Sequence, residues 1–286
     1  MQATDGPKGA KLKSIVSFRD GAQAPVEDLV ACEEPLEIKL ATGPAGNREH
    51  RSLAVTMRTP GQDAELAIGF LFTEGIIGKA ADVSSCRHVG QALAPEAAEN
   101  ILLVELSPGT AVDFEKLNRH FYTSSSCGVC GKASIEMVRT VSLHYPRRAY
   151  PVFSAAVLQG FPDQLLGRQS LFAATGGIHA AGAFTPEGQL LAVREDVGRH
   201  NAMDKLIGSQ LQAGRFPMRD VGVMVSGRLS FELVQKAATA GVPLLAAVGA
   251  PSSLAVELAE EHGITLAGFL RGTRFNVYCG QERIQW

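Results

Sequence analysis

The chain has 286 residues, of which 45% are hydrophobic and 20% charged, and its 27 basic and 29 acidic side chains leave a formal charge of −2. This balance excludes an intrinsically disordered chain and gives no electrostatic basis for binding duplex DNA or coating an anionic membrane. We therefore expect a folded protein that binds neither nucleic acid nor membrane. Because the sequence has no secretion signal and no apolar run near the ~20 residues that cross a bilayer, we expect it to be cytoplasmic.

The first part of the chain predicts a smaller α+β domain over residues 14–122. Residues 1–13 are polar and are expected to form a frayed tail. Asp63 is expected to cap a helix over residues 64–74. Apolar runs between turn residues predict strands over residues 36–40, 52–57 and 101–106.

A polar middle segment separates this domain from the rest of the chain. Residues 123–131 are rich in Ser and Gly and predict a mobile loop, followed by a short helix over residues 133–141. Pro146 and Pro151 then mark a linker. We assign residues 123–150 to this loop and linker.

The last part, residues 151–286, predicts an α/β domain in which apolar strands alternate with amphipathic helices, the pattern of a sheet covered by helices. The predicted strands are residues 178–184, 189–193, 221–225, 242–248, 264–270 and 275–279. The predicted helices are residues 198–212, 230–240 and 252–262.

Cys127 and Cys130 are the first candidates for chemistry, since they lie three residues apart in the predicted loop. A structural zinc site needs four ligands, and no second Cys-x-x-Cys or His pair is present. A thioredoxin-like motif would open a helix directly after a strand. Thiolate chemistry is therefore favoured, and basic neighbours favour the nucleophilic form: Arg119, His120 and Lys132. The isolated cysteines are interpreted as structural thiols: Cys32, Cys86 and Cys279.

Two further segments are expected at the sheet edge where α/β proteins bind ligands. In residues 174–179, two glycines before His179 permit close approach of a ligand. Residues 194–205 are rich in charged and polar groups, which is also typical of a solvated face.

The junctions at residues 226–230 and 249–253 each join a strand to a helix. Their glycines suit tight turns, and the helix N-termini attract anions. The first junction begins with Ser226 and also contains Arg228, and the guanidinium group of Arg228 suits phosphate. We expect a nucleotide or polyphosphate here, although ordinary capping accounts for Ser252 and Ser253 without any ligand.

The stretch 268–278 combines aromatic rings with Arg271 and Arg274. Rings stack on bases and arginines hold phosphates, but an exposed edge strand has the same composition. Spacing alone leaves both interpretations open.

Taken together, these segments resemble the formate dehydrogenase accessory sulfurtransferase (FdhD) family. The resemblance rests on SCGVCG at 126–131, TGGIHAA at 175–181, REDVGRHNA at 194–202, SGRLSFE at 226–232, APSSLA at 250–255 and FLRGTRFNVY at 269–278. It implies a cytoplasmic homodimer whose C-terminal domain has a cytidine-deaminase-like three-layer α/β fold.

By this resemblance, the protein takes persulfide sulfur from a cysteine desulfurase. It passes the sulfur to the molybdenum bis(molybdopterin guanine dinucleotide) cofactor, a bound substrate, before the cofactor enters formate dehydrogenase. Cys127 would bear the persulfide, with no tightly bound metal. From the residues themselves, two roles stay open for Cys130: it holds the sulfur transiently, or it captures Cys127 as a disulfide with release of sulfide, which is an off-pathway loss. The resemblance places the guanine dinucleotide site at Phe269, Leu270, Arg271, Gly272, Thr273 and Arg274, and we add His179, Ser226 and Arg228 from the junctions.

Two alternatives remain. A zinc-dependent nucleobase deaminase needs a Glu two residues after its His and a Pro before its first Cys. Here Ala181 and Ser126 occupy those positions, and His179 follows the cysteine pair instead of preceding it. The second alternative is a non-catalytic carrier that binds the guanine dinucleotide while its thiols are incidental.

Overall fold

The computed structural model describes residues 7–44, 46–89, 98–110, 112 and 146–286. Within these residues the N-terminal part forms a hairpin, a four-stranded sheet in the order β4-β3-β6-β5, and one helix on that sheet. Its elements are β1 (Ala10–Arg19), β2 (Ala22–Ala31), β3 (Glu34–Thr42), β4 (Glu49–Arg58), α1 (Asp63–Thr73), β5 (Val83–His88) and β6 (Ile101–Leu106).

The C-terminal part is built on a six-stranded mixed sheet in the order β13-β12-β11-β10-β8-β9. Its strands and helices are β7 (Phe153–Ser154), α2 (Ala155–Gln159), α3 (Phe161–Leu166), α4 (Ser170–Thr175), β8 (His179–Phe184), β9 (Leu190–Asp196), α5 (Arg199–Gln212), β10 (Gly222–Val225), α6 (Phe231–Ala240), β11 (Leu244–Ala247), α7 (Ser253–Glu261), β12 (Thr265–Arg271), β13 (Arg274–Cys279) and β14 (Ile284–Gln285). The strands β10, β11 and β12 are parallel, and the other pairs in this sheet are antiparallel.

The six-stranded sheet is the middle of three layers. Successive side chains of a strand point to opposite faces. Val223 and Val225 of β10 therefore pack with the core under α5, α6 and α7, whereas Met224 packs with Leu158 of α2 and Phe161 of α3. Both faces of the central strands are buried, which explains their unbroken apolar sequences.

Helix α1 links the two parts of the chain by crossing α5 at a pair of glycines. A Cβ atom on Gly69 would lie 1.9 Å from the carbonyl oxygen of Asp204, and one on Gly208 would lie 1.9 Å from that of Glu65. The two backbones are thus in contact, and one apolar core runs across both parts. The division at residues 14–122, 123–150 and 151–286 stays a prediction.

The α/β class and every predicted strand and helix that falls on described residues are confirmed, with shifts of a few residues at the ends. The frayed tail is wrong for residues 10–13, which begin β1. Asp63 does not cap α1: Gln62 is the N-cap, and the Asp63 carboxylate instead pairs with the buried Arg58 at 3.0 Å. The predicted helix over residues 133–141 lies outside the described residues.

Sequence patterns did not predict several elements: the hairpin β1–β2, the strands β5, β7 and β14, and the helices α2, α3 and α4. No helix in the described part of the chain is long and apolar enough to cross a bilayer.

Candidate functional site

The topology of the six-stranded sheet gathers the predicted junctions at one edge. The parallel strands β10, β11 and β12 all end there. Because β8 runs antiparallel to β10 and β9, its first residue, His179, lies at the same edge as Asp196, the last residue of β9. The predicted clustering of these junctions is therefore confirmed for the described residues.

Ser226 joins the end of β10 to the start of β8. The backbone N–H of Ser226 donates to the carbonyl of Ala180 at 2.9 Å. In return, the backbone N–H of Ala180 donates to the Oγ of Ser226, also at 2.9 Å. The next residue, Gly227, lies against the ring of His179: a Cβ there would be 3.4 Å from Nδ1. The Ser226 hydroxyl thus extends the strand pairing and fixes the loop beside His179.

Gly249 is the central contact of this edge. It donates its N–H to the carbonyl of Gly227 at 3.0 Å and accepts the N–H of Phe269 at 3.0 Å. A Cβ on Gly249 would lie 2.9 Å from both the Gly227 oxygen and the Cγ of Arg228, so only glycine fits. The loops after β10 and β11 and the end of β12 are consequently held as one unit.

Phe269 has a left-handed backbone with φ of 54°. The register of β12 with β13 shifts between Gly268 and Arg271, so Phe269 lies at a bulge. Such a conformation is costly for a bulky residue and is concentrated at ligand-binding edges. The bulge redirects the strand at the point where the resemblance places the guanine dinucleotide.

The remaining residues of that segment form the tip of the β12–β13 hairpin. Arg271 and Arg274 pair across the strands and are exposed, with Gly272 and Thr273 in the turn. The Leu270 side chain is fully buried in the apolar cluster that contains Met224 and Phe161, so a ligand reaches only the backbone of Leu270. Together with the exposed Arg228, the tip offers guanidinium groups to an anion along one edge.

The two helix N-termini at this edge differ. Ser252 caps α7 by accepting the N–H of Ala255 at 3.3 Å, which confirms the ordinary capping expected for it. Ser230 stands at the N-cap of α6 but makes no side-chain cap. Its Oγ instead lies 3.3 Å from Nε2 of His200, a pairing that the sequence did not reveal.

Both histidines of the edge are held neutral. Burial lowers the pKa of His179, and Arg199 lowers it further while Asp196 opposes the shift. Burial, then Lys236 and Arg199, lower the pKa of His200 to about 4. Each ring therefore presents one donor and one acceptor at neutral pH, and the positive charge at this edge comes from arginine.

The charged segment 194–205 serves mainly as a buried connection to the N-terminal part of the chain. Asp196 and Lys205 form an ion pair at 2.7 Å, and Lys205 donates to the carbonyl of Thr59. Arg194 pairs through two nitrogens with Glu65 of α1. The contacts with Thr59 and Glu65 join elements that are far apart in sequence, so the sequence alone did not distinguish this segment from a ligand site.

Cys127 and Cys130 lie outside the described residues. The remaining cysteines are free thiols, as expected: Cys32, Cys86 and Cys279. Burial raises the pKa of Cys86 and of Cys279 to about 11 and also raises that of Cys32. These thiols are therefore protonated at neutral pH and are poor nucleophiles.

Comparison with known proteins gives consistent results. A family model described as the FdhD/NarQ family matches residues 31–285. The chain is 47% identical to a sulfur carrier protein FdhD of Streptomyces avermitilis over 274 residues, which cover 95% of this chain and 94% of that one. It is 51% identical to one of Mycolicibacterium paratuberculosis over 258 residues, with 90% and 92% covered.

A solved structure agrees at the level of the whole chain. The crystal structure of a protein of Desulfotalea psychrophila, named as a formate dehydrogenase accessory protein, matches with a TM-score of 0.72 at 28% identity. The match covers 96% of this chain and 99% of that one.

Proposed function

The chain belongs to the FdhD/NarQ family, and we propose that it is a sulfurtransferase that carries persulfide sulfur on Cys127 to a molybdenum cofactor. In this proposal a cysteine desulfurase supplies the sulfur, and the molybdenum bis(molybdopterin guanine dinucleotide) cofactor receives it as a bound substrate. The loaded cofactor then enters formate dehydrogenase. The names of the relatives, sulfur carrier and formate dehydrogenase accessory protein, support this function.

One structural observation supports the proposal that the cofactor binds at this edge of the sheet. Gly249 bonds to Gly227 on one side and to Phe269 on the other, so the loop with Arg228 and the tip with Arg271 belong to one rigid edge. Guanine dinucleotide arms carry several phosphates, and guanidinium groups with helix N-termini are the groups that proteins use to hold phosphate.

Cys127 would load by thiol–disulfide exchange. Its thiolate attacks the outer sulfur of the donor's persulfide, the donor's S–S bond breaks, and the donor cysteine leaves as a thiolate. Cys127 then holds S–SH. Transfer of the outer sulfur to the bound cofactor would break this S–S bond and return Cys127 as a thiolate, and the molybdenum centre would supply the two electrons that reduce the sulfur to sulfide. If Cys130 attacks the inner sulfur first, a Cys127–Cys130 disulfide forms and hydrosulfide leaves, which loses the cargo.

The deaminase alternative is disfavoured by the strand that carries His179. A zinc deaminase needs a general acid–base Glu two residues after the His ligand. Ala181 occupies that position and is fully buried in β8, so this position supplies no carboxylate that could act as the general acid–base. The non-catalytic carrier differs from the sulfurtransferase only in the role of its thiols.

We further propose that the C-terminal part has a cytidine-deaminase-like fold, that the protein is a homodimer, and that it acts in the cytoplasm. The three-layer order of helices around a mixed sheet supports the fold.

Complementation tests the function. In cells that lack their own family member, we expect this chain to restore formate dehydrogenase activity and Cys127→Ala to fail at equal protein level. Ser124→Ala, in the same Ser-rich segment, is the matched control and should complement fully. Complementation by Cys127→Ala would favour the non-catalytic carrier.

A further inference from the structure

The loop that joins β10 to α6 is held in place by Leu229. The N–H of Leu229 donates to the carbonyl of Ala250, and its carbonyl accepts the N–H of Ser252, each at 3.0 Å. Leu229 also forms a parallel bridge with Pro251, and its side chain is only 1% exposed. The loop is therefore extended at this residue and is fastened to the loop that follows β11.

Arg228 and Ser230 flank this buried residue. Successive side chains of an extended segment point in opposite directions. Ser230 is itself extended, with φ of −92° and ψ of 166°. The side chains of Arg228 and Ser230 therefore lie on the same side of the loop, away from the core that holds Leu229. Arg228 is exposed and Ser230 is partly exposed, so a guanidinium group and a hydroxyl are neighbours at the ligand-binding edge.

The hydroxyl of Ser230 does not serve helix α6. A Ser at an N-cap ordinarily accepts an N–H of the first turn, as Ser252 does for α7. Ser230 accepts none. Within the residues that the structure describes, the one hydrogen-bond partner of this hydroxyl is Nε2 of His200, at 3.3 Å. The orientation of the hydroxyl is therefore set by His200 and not by the helix.

The surroundings of His200 indicate which atom donates in this hydrogen bond. The carboxylate of Glu232 lies 3.8 Å from the same Nε2 atom. Because a carboxylate only accepts hydrogen bonds, it favours the ring tautomer that carries its hydrogen on Nε2. Nε2 then donates to the Oγ of Ser230, which leaves the hydroxyl hydrogen of Ser230 for another acceptor. The pKa of His200, lowered to about 4 chiefly by burial, makes the ring a poor base, so the pair is not an activated nucleophile.

We propose that Ser230 is a further ligand-binding residue of this edge, which donates its hydroxyl hydrogen to the phosphate that Arg228 binds, and that His200 positions it. This inference rests on the nucleotide site of the proposed function and adds two residues to that site. A guanidinium group and a hydroxyl on one side of a loop both offer hydrogen, so an anion with several acceptor oxygens satisfies both. Phosphate has this chemistry.

Calorimetric titration of the full chain with GDP tests the role of Ser230. Ser230→Ala should raise the dissociation constant about tenfold, because a hydrogen bond to a charged group is lost. The melting temperature should stay close to that of the wild type, since this hydroxyl caps no helix. Ser107→Ala removes a hydroxyl hydrogen bond to the carbonyl of Ala81 in the N-terminal part of the chain. It is the matched control and should bind GDP as the wild type does.

Substitutions of His200 test the positioning role. His200→Leu removes the ring nitrogens and should weaken GDP binding as much as Ser230→Ala does. His200→Gln has a side-chain amide that can donate to Ser230, and it should retain most of the affinity. The double variant, His200→Leu with Ser230→Ala, should bind no more weakly than Ser230→Ala alone, because His200 acts through that hydroxyl. Additive losses in the double variant would overturn the positioning role.

The outcomes separate this inference from the proposed function. Equal GDP affinities of the wild type and Ser230→Ala would overturn the inference and leave the nucleotide site standing. A wild type that binds no GDP would overturn the nucleotide site and the inference together, whereas sulfur loading of Cys127 is measured independently.

Discussion

Asp196 and Lys205 form a fully buried ion pair, with 2.7 Å between Oδ2 and Nζ, at the end of the sheet that carries His179. Both side chains also bind the residue after β4: Asp196 accepts the N–H of Thr59 at 3.2 Å, and Lys205 donates to its carbonyl at 2.9 Å. The pair therefore fastens the N-terminal sheet to the ligand-binding edge.

Removal of one partner of this pair should be strongly destabilising. Lys205→Met leaves an unpaired buried carboxylate, which we expect to cost about 3–5 kcal/mol of the free energy of unfolding. Urea denaturation measures the change. Arg51→Met, which removes the exposed pair of Arg51 with Glu49, is the control and should leave the urea midpoint nearly unchanged. A Lys205→Met midpoint equal to that of the control would contradict the role of the pair.

Because α1 and α5 cross at glycines, a Gly→Ala substitution there should lower the stability of the protein instead of raising it. Gly→Ala inside a helix ordinarily stabilises by about 1 kcal/mol. Gly208→Ala should instead destabilise by at least about 2 kcal/mol, because the new Cβ would overlap the carbonyl oxygen of Glu65. Thermal unfolding gives the comparison, with Gly46→Ala as the control in open space. A stabilised Gly208→Ala variant would show that the helices do not touch.

His200 should make stability depend on pH. Its folded-state pKa of about 4 lies below the ~6.5 of an unfolded chain, so the unfolded state binds the extra proton between these values. Stability should therefore be fully present above pH ~6.5 and fall as the pH drops towards 4. His200→Gln should remove of the order of 3 kcal/mol of this decline. Equal pH slopes for wild type and His200→Gln would disprove the buried neutral state.

Local sequence patterns predicted most strands and helices of the C-terminal part, because its strands are apolar runs and its helices have amphipathic sequences. The β1–β2 hairpin was missed, although Asp20 and Gly21 carry the signal: both have positive φ, as Asp-Gly hairpin turns require. The polar Lys11 and Lys13 concealed the strand that precedes this turn. The contacts of Asp196 with Thr59 and of Arg194 with Glu65 were beyond prediction, since these partners lie 137 and 129 residues away along the chain.

The tip of the β12–β13 hairpin should hold the phosphates of a guanine nucleotide, and the fluorescence of Trp286 can report this binding. Trp286 is the only tryptophan, and its ring is parallel to that of Phe275, next to Arg274, with centroids 6.1 Å apart. Titration with GDP should change the fluorescence of Trp286. Arg271→Ala and Arg274→Ala should each raise the dissociation constant about tenfold or more, because each loses a charge-assisted hydrogen bond. Arg168→Ala is the control, and equal affinities across all these variants would place the nucleotide elsewhere.

Sulfur loading of Cys127 tests the central claim most directly. The intact protein is incubated with a cysteine desulfurase and cysteine, and the mass of the peptide that contains residue 127 is measured. We predict one added sulfur atom in the wild type and none in Cys127→Ala, which should still bind GDP with wild-type affinity. A wild type that gains no sulfur, or a Cys127→Ala variant that matures formate dehydrogenase fully, would contradict the sulfurtransferase account.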